Sequence, residues 1–129
     1  MTYPFEAEPE SGLIIVSVEI DGRYGLRMVL DTGATNTTID SNALHLLGYD
    51  LRDKIGTVEI ETANGIVDTE VFEVHSFSSL GIIQQSYQIQ VYDFLAHGIF
   101  SNYDGLLGLD FWSGKKLCID TAESTITLT

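Results

Sequence analysis

The sequence predicts an all-β fold, a closed barrel or sandwich of short strands with one or two short helices. Three observations lead there. Apolar residues recur with period two through most of the chain, as in Ile14, Val16, Val18 and Ile20. Turn dipeptides punctuate that pattern, with Asp21-Gly22 and Asn64-Gly65 suited to tight hairpins. One stretch, residues 40–50, reads most clearly as helical.

Taken in order, residues 1–11 are an acidic lead-in or a first edge strand, and residues 12–129 form the domain. Ile14 to Ile20 alternates with Ile15, Ser17 and Glu19, turns at Asp21-Gly22, and returns through Tyr24, Leu26, Met28 and Leu30. In "DSNALHLLGYD", Asp40 or Ser41 caps a helix, Leu44 and Leu47 give it an apolar face, and Gly48 closes it. A second hairpin rises through Val58, Ile60 and Thr62 and returns through Val67, Thr69 and Val71. Its alternate positions Glu59, Glu61, Asp68 and Glu70 are acidic, so at least one face is wet and the hairpin is expected to project. Tyr87, Ile89 and Val91 mark another strand. "SNYDGLLGLDFWSG" holds a turn, a short apolar strand and a short helix, and "KLCID" and "STITL" close the chain.

Composition narrows the function. The 129 residues suit one domain, and 44% hydrophobic content is enough for a core. The apolar runs are too short to span a membrane. A formal net charge of −13 repels a phosphate backbone, which argues against nucleic acid as a partner. The start has neither a basic n-region nor an apolar h-region, so no signal peptide is read. The lone Cys118 suits a reducing cytoplasm, and a cytoplasmic location is expected.

Most familiar chemistries find no footing. His45, His75 and His97 are far apart and none has a second ligand at close spacing, so no metal is expected. The chain lacks a G-x-S-x-G elbow, a phosphate-binding G-x-x-x-x-G-K-[ST] loop and a G-x-G-x-x-G fingerprint, and no cofactor is expected. The sequon Asn36-Thr37-Thr38 matters only in a secreted protein. What is left is Asp31, an acid at the end of an apolar strand, followed by Thr32, Gly33 and Ala34. Asp-Thr-Gly is good turn chemistry by itself. Its setting is more specific, because "Asp104-Gly105-Leu106-Leu107-Gly108-Leu109-Asp110" follows far downstream.

"Val29-Leu30-Asp31-Thr32-Gly33-Ala34" resembles the catalytic loop of retropepsin-like aspartic proteases, and "Gly105-Leu106-Leu107-Gly108" resembles that family's second signature. The resemblance covers roughly residues 12 to 128 and keeps the family's order of elements. It implies a retropepsin-like domain with a flap hairpin, and a homodimer in which Asp31 of each subunit faces its twin, since one short chain carries one Asp-Thr-Gly. The implied activity is peptide-bond hydrolysis on a protein or peptide substrate. Asp31 would be catalytic, with Thr32, Gly33, Leu106, Leu107 and Gly108 supporting the loop. Ala34 and Thr35, and Thr62, Ala63, Asn64 and Gly65 on the flap, would meet substrate. Like charge on two such chains opposes association, so the dimer should tighten in acid and in salt.

Retroviral members often carry an aspartate two residues after the catalytic glycine and an arginine just after the later glycine. Thr35 and Leu109 stand there, so both partners of that ion pair are missing together and no buried charge is stranded. The chain thus looks closer to the cellular branch of the family. In viral enzymes the termini interleave between subunits. Ile126 and Leu128 suit that arrangement or one within a single subunit. Two other functions stay open: a catalytically silent module that holds peptides or dimerises, and a β domain whose Asp-Thr-Gly is only a turn.

Overall fold

Two short strands, β1 (Thr2–Pro4) and β2 (Glu6–Ala7), occupy the start of the chain, so residues 2–7 take the edge-strand role. The computed structural model describes residues 1–23, 25–62, 65–99 and 102–129. Tyr24, expected on the first return strand, and Ala63 and Asn64, expected at the tip of the second hairpin, lie outside the described residues, as does the side chain of Thr62.

The first hairpin joins β3 (Ile14–Ile20) to β4 (Gly25–Leu30). Asp21 and Gly22 take φ of 53° and 71°, and the Arg23 N–H closes the turn on the Ile20 carbonyl at 2.9 Å. Positive φ at both central residues matches the right-handed twist of the flanking strands. The turn is also anchored from outside, because Asp21 accepts from the Ser76 N–H at 2.8 Å and from the Tyr49 hydroxyl. Burial works to raise the Asp21 carboxyl, but these donors outweigh it and hold it below its usual range.

Next come β5 (Thr38–Asp40) and the helix α1 (Ser41–Leu46). Asp40 caps α1 by accepting from the Asn42 N–H at 3.3 Å, and Gly48, at φ 94°, ends the turn that follows. Leu44 is fully buried and Leu47 packs against the core, as their spacing predicts, while Leu46 points to solvent.

The second hairpin pairs β6 (Gly56–Thr62) with β7 (Gly65–Ser79) from Gly56↔Val71 to Thr62↔Gly65. β7 runs well past the hairpin, turns at Leu80-Gly81 and pairs back with β8 (Ile82–Tyr92). β9 (Gly105–Leu107) is followed by a single 3-10 turn, Leu109–Trp112, where a short helix was expected. β10 (Leu117–Asp120) and β11 (Thr125–Leu128) end the chain.

Eight strands form one sheet in the order β2-β3-β4-β9-β5-β8-β7-β6. A further pairing, Glu19↔Ser78 and Ile20↔Phe77, joins β7 back to β3, so these two and the four strands between them form a circuit. The smaller sheet has the order β1-β11-β10. Inside lie Val18, Ile20, Met28, Ile39, Leu44, Phe77, Ile89, Leu107, Phe111 and Ile126, each at most 1% exposed. Each such aliphatic or phenyl side chain contributes about 1.5–3 kcal/mol on leaving water. Among the described residues no helix is long and apolar enough to cross a membrane.

One topological feature positions the site. β9 lies between β4 and β5, parallel to β4 and antiparallel to β5. A late segment therefore threads between two strands that follow one another in sequence. The loop from β4 to β5, which contains Asp31, is thereby clamped against residues 107–110.

Candidate active site

Asp31 follows directly on β4. Its N–H donates to the Leu107 carbonyl at 3.0 Å, continuing the β4–β9 ladder one step beyond the strand. The Ala34 N–H donates back to the Asp31 carbonyl at 3.1 Å and makes a turn of residues 31–34. Inside that turn the Gly33 N–H donates to Asp31 Oδ1 at 2.9 Å. A Cβ on Gly33 would sit 3.2 Å from the same oxygen, tighter than ordinary contact. The carboxylate is thus oriented by its own loop. Asp31 and Ala34 are half-buried, whereas Thr32, Gly33 and Thr35 are exposed. The Thr32 hydroxyl has no hydrogen-bond partner among the described residues.

The second signature lies where the first meets it. Leu107 is fully buried under the loop, while Leu106 is only half-buried, paired across to Val29 and Thr38. Gly108 is where two backbones meet: a Cβ there would stand 2.6 Å from the Asn36 carbonyl carbon and 2.9 Å from the Ala34 oxygen. Only hydrogen fits. Beyond it, the Leu109 N–H donates to the Ala34 carbonyl at 2.8 Å and the Asp110 N–H to the Thr35 carbonyl at 3.2 Å. So Thr35 and Leu109 lie in two stretches held together by backbone bonds.

Sequence reasoning missed the side chains that complete this clamp. Thr37 is fully buried, and its hydroxyl donates to Asp110 Oδ1 at 2.9 Å. The same oxygen accepts the Thr37 N–H at 2.9 Å. The Gly108 N–H donates to the Thr37 hydroxyl at 3.1 Å. A threonine has one hydroxyl proton, here given to Asp110, so the Tyr87 hydroxyl 3.0 Å away is the donor in its contact with Thr37. Burial pushes the Tyr87 phenol well above its usual range, and the nearby Asp110 carboxylate adds to this. The Tyr87 ring is itself wedged against Phe77 and Phe111, with centroids 4.9 Å and 6.2 Å away. An acid two residues after Gly108 and a threonine four after Gly33 were visible in the chain. Their meeting was not, because they are 73 positions apart.

The hairpin of β6 and β7 is built differently. Most residues of β6 are exposed, including Val58, and on β7 Ile66 is 70% exposed. Gly65 takes φ 115° just past the tip. Two clefts, of about 780 and 580 Å³, are lined elsewhere, the first by residues such as Glu8, Asp40, Phe94 and Tyr103 and the second by residues such as Tyr3, Ile83 and Leu128. His45, His75 and His97 are exposed.

Residues 16–111 match the profile of a family described as aspartyl protease. The chain belongs to that family. The match spans both the Asp31 loop and Gly108, the two stretches that the fold clamps together. As a member of the aspartyl protease family it also has a retropepsin-like fold. Its structure is similar to the crystal structure of a retropepsin-like aspartic protease from Rickettsia conorii, with a TM-score of 0.69 over 99% of this chain and 92% of that one, at 20% sequence identity. No curated protein sequence matches it significantly.

Proposed function

We propose that this family member is a homodimeric aspartic endopeptidase, in which Asp31 from each subunit activates one water for attack on a peptide bond. The observation that supports this most is the Asp31 loop: an oriented carboxylate beside exposed Thr32 and Gly33, one per chain, on a braced turn. Brought together by a two-fold axis, two such carboxylates cannot both ionise cheaply, so they share a proton and titrate as a pair. The ionised member takes a proton from water while the protonated member donates to the scissile carbonyl oxygen. The tetrahedral diol then collapses as the amide nitrogen takes a proton and leaves.

The remaining roles follow from position. Gly33 keeps the turn tight around Asp31, and Leu107 and Gly108 hold it from beneath, with Leu106 flanking them. The unpartnered Thr32 hydroxyl is available to the second subunit. Ala34 and Thr35 border the acid and would meet substrate backbone. Thr62, Ala63, Asn64 and Gly65 would form the tip of a flap that closes over an extended peptide, adding strand-like hydrogen bonds and excluding water. Exposed Val58 and Ile66 favour apolar contacts under that flap. The single cysteine, exposed and unpaired, suits a reducing cytoplasm.

Cleavage of a diverse peptide library from about pH 4 to about pH 7, at concentrations that fill the dimer, tests this reading. Cuts that vanish with Asp31→Asn are expected. A dimer that binds peptides and cuts none of them at any pH would favour the silent binding module instead.

A further inference from the structure

The ladder between β7 and β8 misses one step. Val74↔Tyr87 and Ser76↔Gln85 pair on either side, but His75 and Ser86 between them do not. Ser86 sits at φ 50°, in the left-handed region that residues with a side chain seldom adopt. Its own side chain is exposed and makes no hydrogen bond among the described residues. Nothing local favours that conformation, and backbone held in such regions tends to cluster where a site depends on it.

The kink shifts the alternation of both strands together. Ile89 and Tyr87 face inward on β8, and strict alternation would turn Gln85 and Ile83 inward next. Instead Gln85 is exposed and Ile83 is 64% exposed, while Gln84 is half-buried. On β7, Val74 is buried and the next fully buried residue is Phe77, three positions on instead of two. Tyr87, Gln84 and Phe77 thereby converge on one neighbour, the 3-10 turn Leu109–Trp112. The Gln84 Nε2 donates to the Phe111 carbonyl at 3.2 Å. The Phe77 ring stands edge-on to Phe111, with centroids 5.4 Å apart. The Tyr87 hydroxyl donates to Thr37, which is itself bound to Asp110.

We propose that the kink at Ser86 aims Tyr87 and Gln84 as positioning residues for Asp31. The inference rests on the proposed function, because it concerns how the acid is placed for cleavage. Neither side chain bonds Asp31 itself. Both act through residues 108–111. There the Leu109 and Asp110 N–H groups hold the carbonyls of Ala34 and Thr35, and the Asp110 carboxylate holds Thr37. The 3-10 turn is thus fixed on one side to the Asp31 loop and on the other to β8. The kink is pinned from behind as well, since Asp21 accepts the Ser76 N–H at 2.8 Å and gives its own N–H to the Ser76 carbonyl at 2.9 Å. A regular strand through Ser86 would turn Gln85 toward the turn in place of Gln84, and the Phe111 carbonyl would lose its donor.

Steady-state cleavage of a peptide from the library, by the full-length chain, tests this with hydrogen exchange beside it. Tyr87→Phe keeps the ring and Gln84→Met keeps the bulk. Each should lower kcat about tenfold and change KM by less than about twofold, because the acid is displaced while the peptide groove is not. Exchange of the Leu109 and Asp110 amides should quicken about tenfold, with that of Val18 in the core unchanged. Ser86 isolates the backbone effect. Ser86→Val disfavours the left-handed φ and should reproduce the loss in kcat, whereas Ser86→Gly adopts it freely and should keep the wild-type kcat. Rates are scaled to the folded fraction from circular dichroism, and the Tyr87 and Gln84 variants decide if Ser86→Val does not fold. Equal losses in Ser86→Gly and Ser86→Val overturn the role of the kink. Asp31-dependent cleavage with kcat unchanged in Tyr87→Phe and Gln84→Met overturns the positioning role and leaves the proposed function standing. A wild-type chain that cuts nothing overturns both.

Discussion

The Asp31 loop and the hairpin of β6 and β7 are both β-turn structures, yet they are held by opposite means. The loop is clamped by two backbone bonds to residues 109 and 110, by the Asp31 N–H on Leu107, and by the buried Thr37–Asp110 contact. The outer hairpin is held chiefly by its own ladder, with acidic residues along it and exposed Val58 and Ile66. The difference teaches where rigidity is needed. Under the proposed function the acid–base chemistry requires a carboxylate held to a fraction of an ångström, whereas a cover over substrate must open and close.

Ways to break this contrast run from large effects to small. Asp31→Asn should reduce peptide cleavage by roughly 10²–10⁴-fold, read in initial rates, while leaving the melting temperature close to wild type, since the amide oxygen can still accept from Gly33. Gly108→Ala forces a methyl into backbone atoms under 3 Å away, so it should cost about 2–3 kcal/mol in urea unfolding and misplace the loop enough to depress kcat. Thr37→Val leaves the Gly108 N–H and an Asp110 oxygen short of a partner, and about 1–3 kcal/mol should be lost in the same assay. On the hairpin side, Ile66→Ser should shift stability by no more than about 0.5 kcal/mol while raising KM for peptide. Equal destabilisation by Thr37→Val and Ile66→Ser would erase the distinction between the two regions.

A pH measurement sharpens it further. The Tyr87 phenol ionises later in the folded chain than in the unfolded one, so its contribution is complete below about pH 10 and is lost as pH rises from there through the folded phenol's higher value. Tyr87→Phe should therefore flatten the alkaline limb of the stability curve, followed by chemical denaturation. A limb of unchanged slope would mean that Tyr87 is not the group responsible.

How much of this was legible in the chain follows the range of the interactions. Asp21-Gly22, the Asp40 cap and the Gly48 stop are local, and each took the predicted form because a dipeptide or a cap acts within a few residues. The Asp31 loop was found by its own residues, and the pair Leu107 and Gly108 by theirs. The length of β7 was underestimated, since its second half pairs with β8 and β3, partners that no local pattern names.

The sequence by itself determined an all-β domain and its first tight turn, at Asp21-Gly22, and it singled out the acid on which the proposed function rests. These rest on period-two alternation and on backbone preferences of Gly, Asn and Asp, which a short window contains. Only the tertiary structure decided that β9 threads between β4 and β5, that Asp110 braces Thr37, and that β11 is enclosed by β1 and β10 while the far edge of β10 is left open. Each of those outcomes depends on hydrogen bonds between segments far apart in the chain, and their partners are chosen by the packing of the whole core.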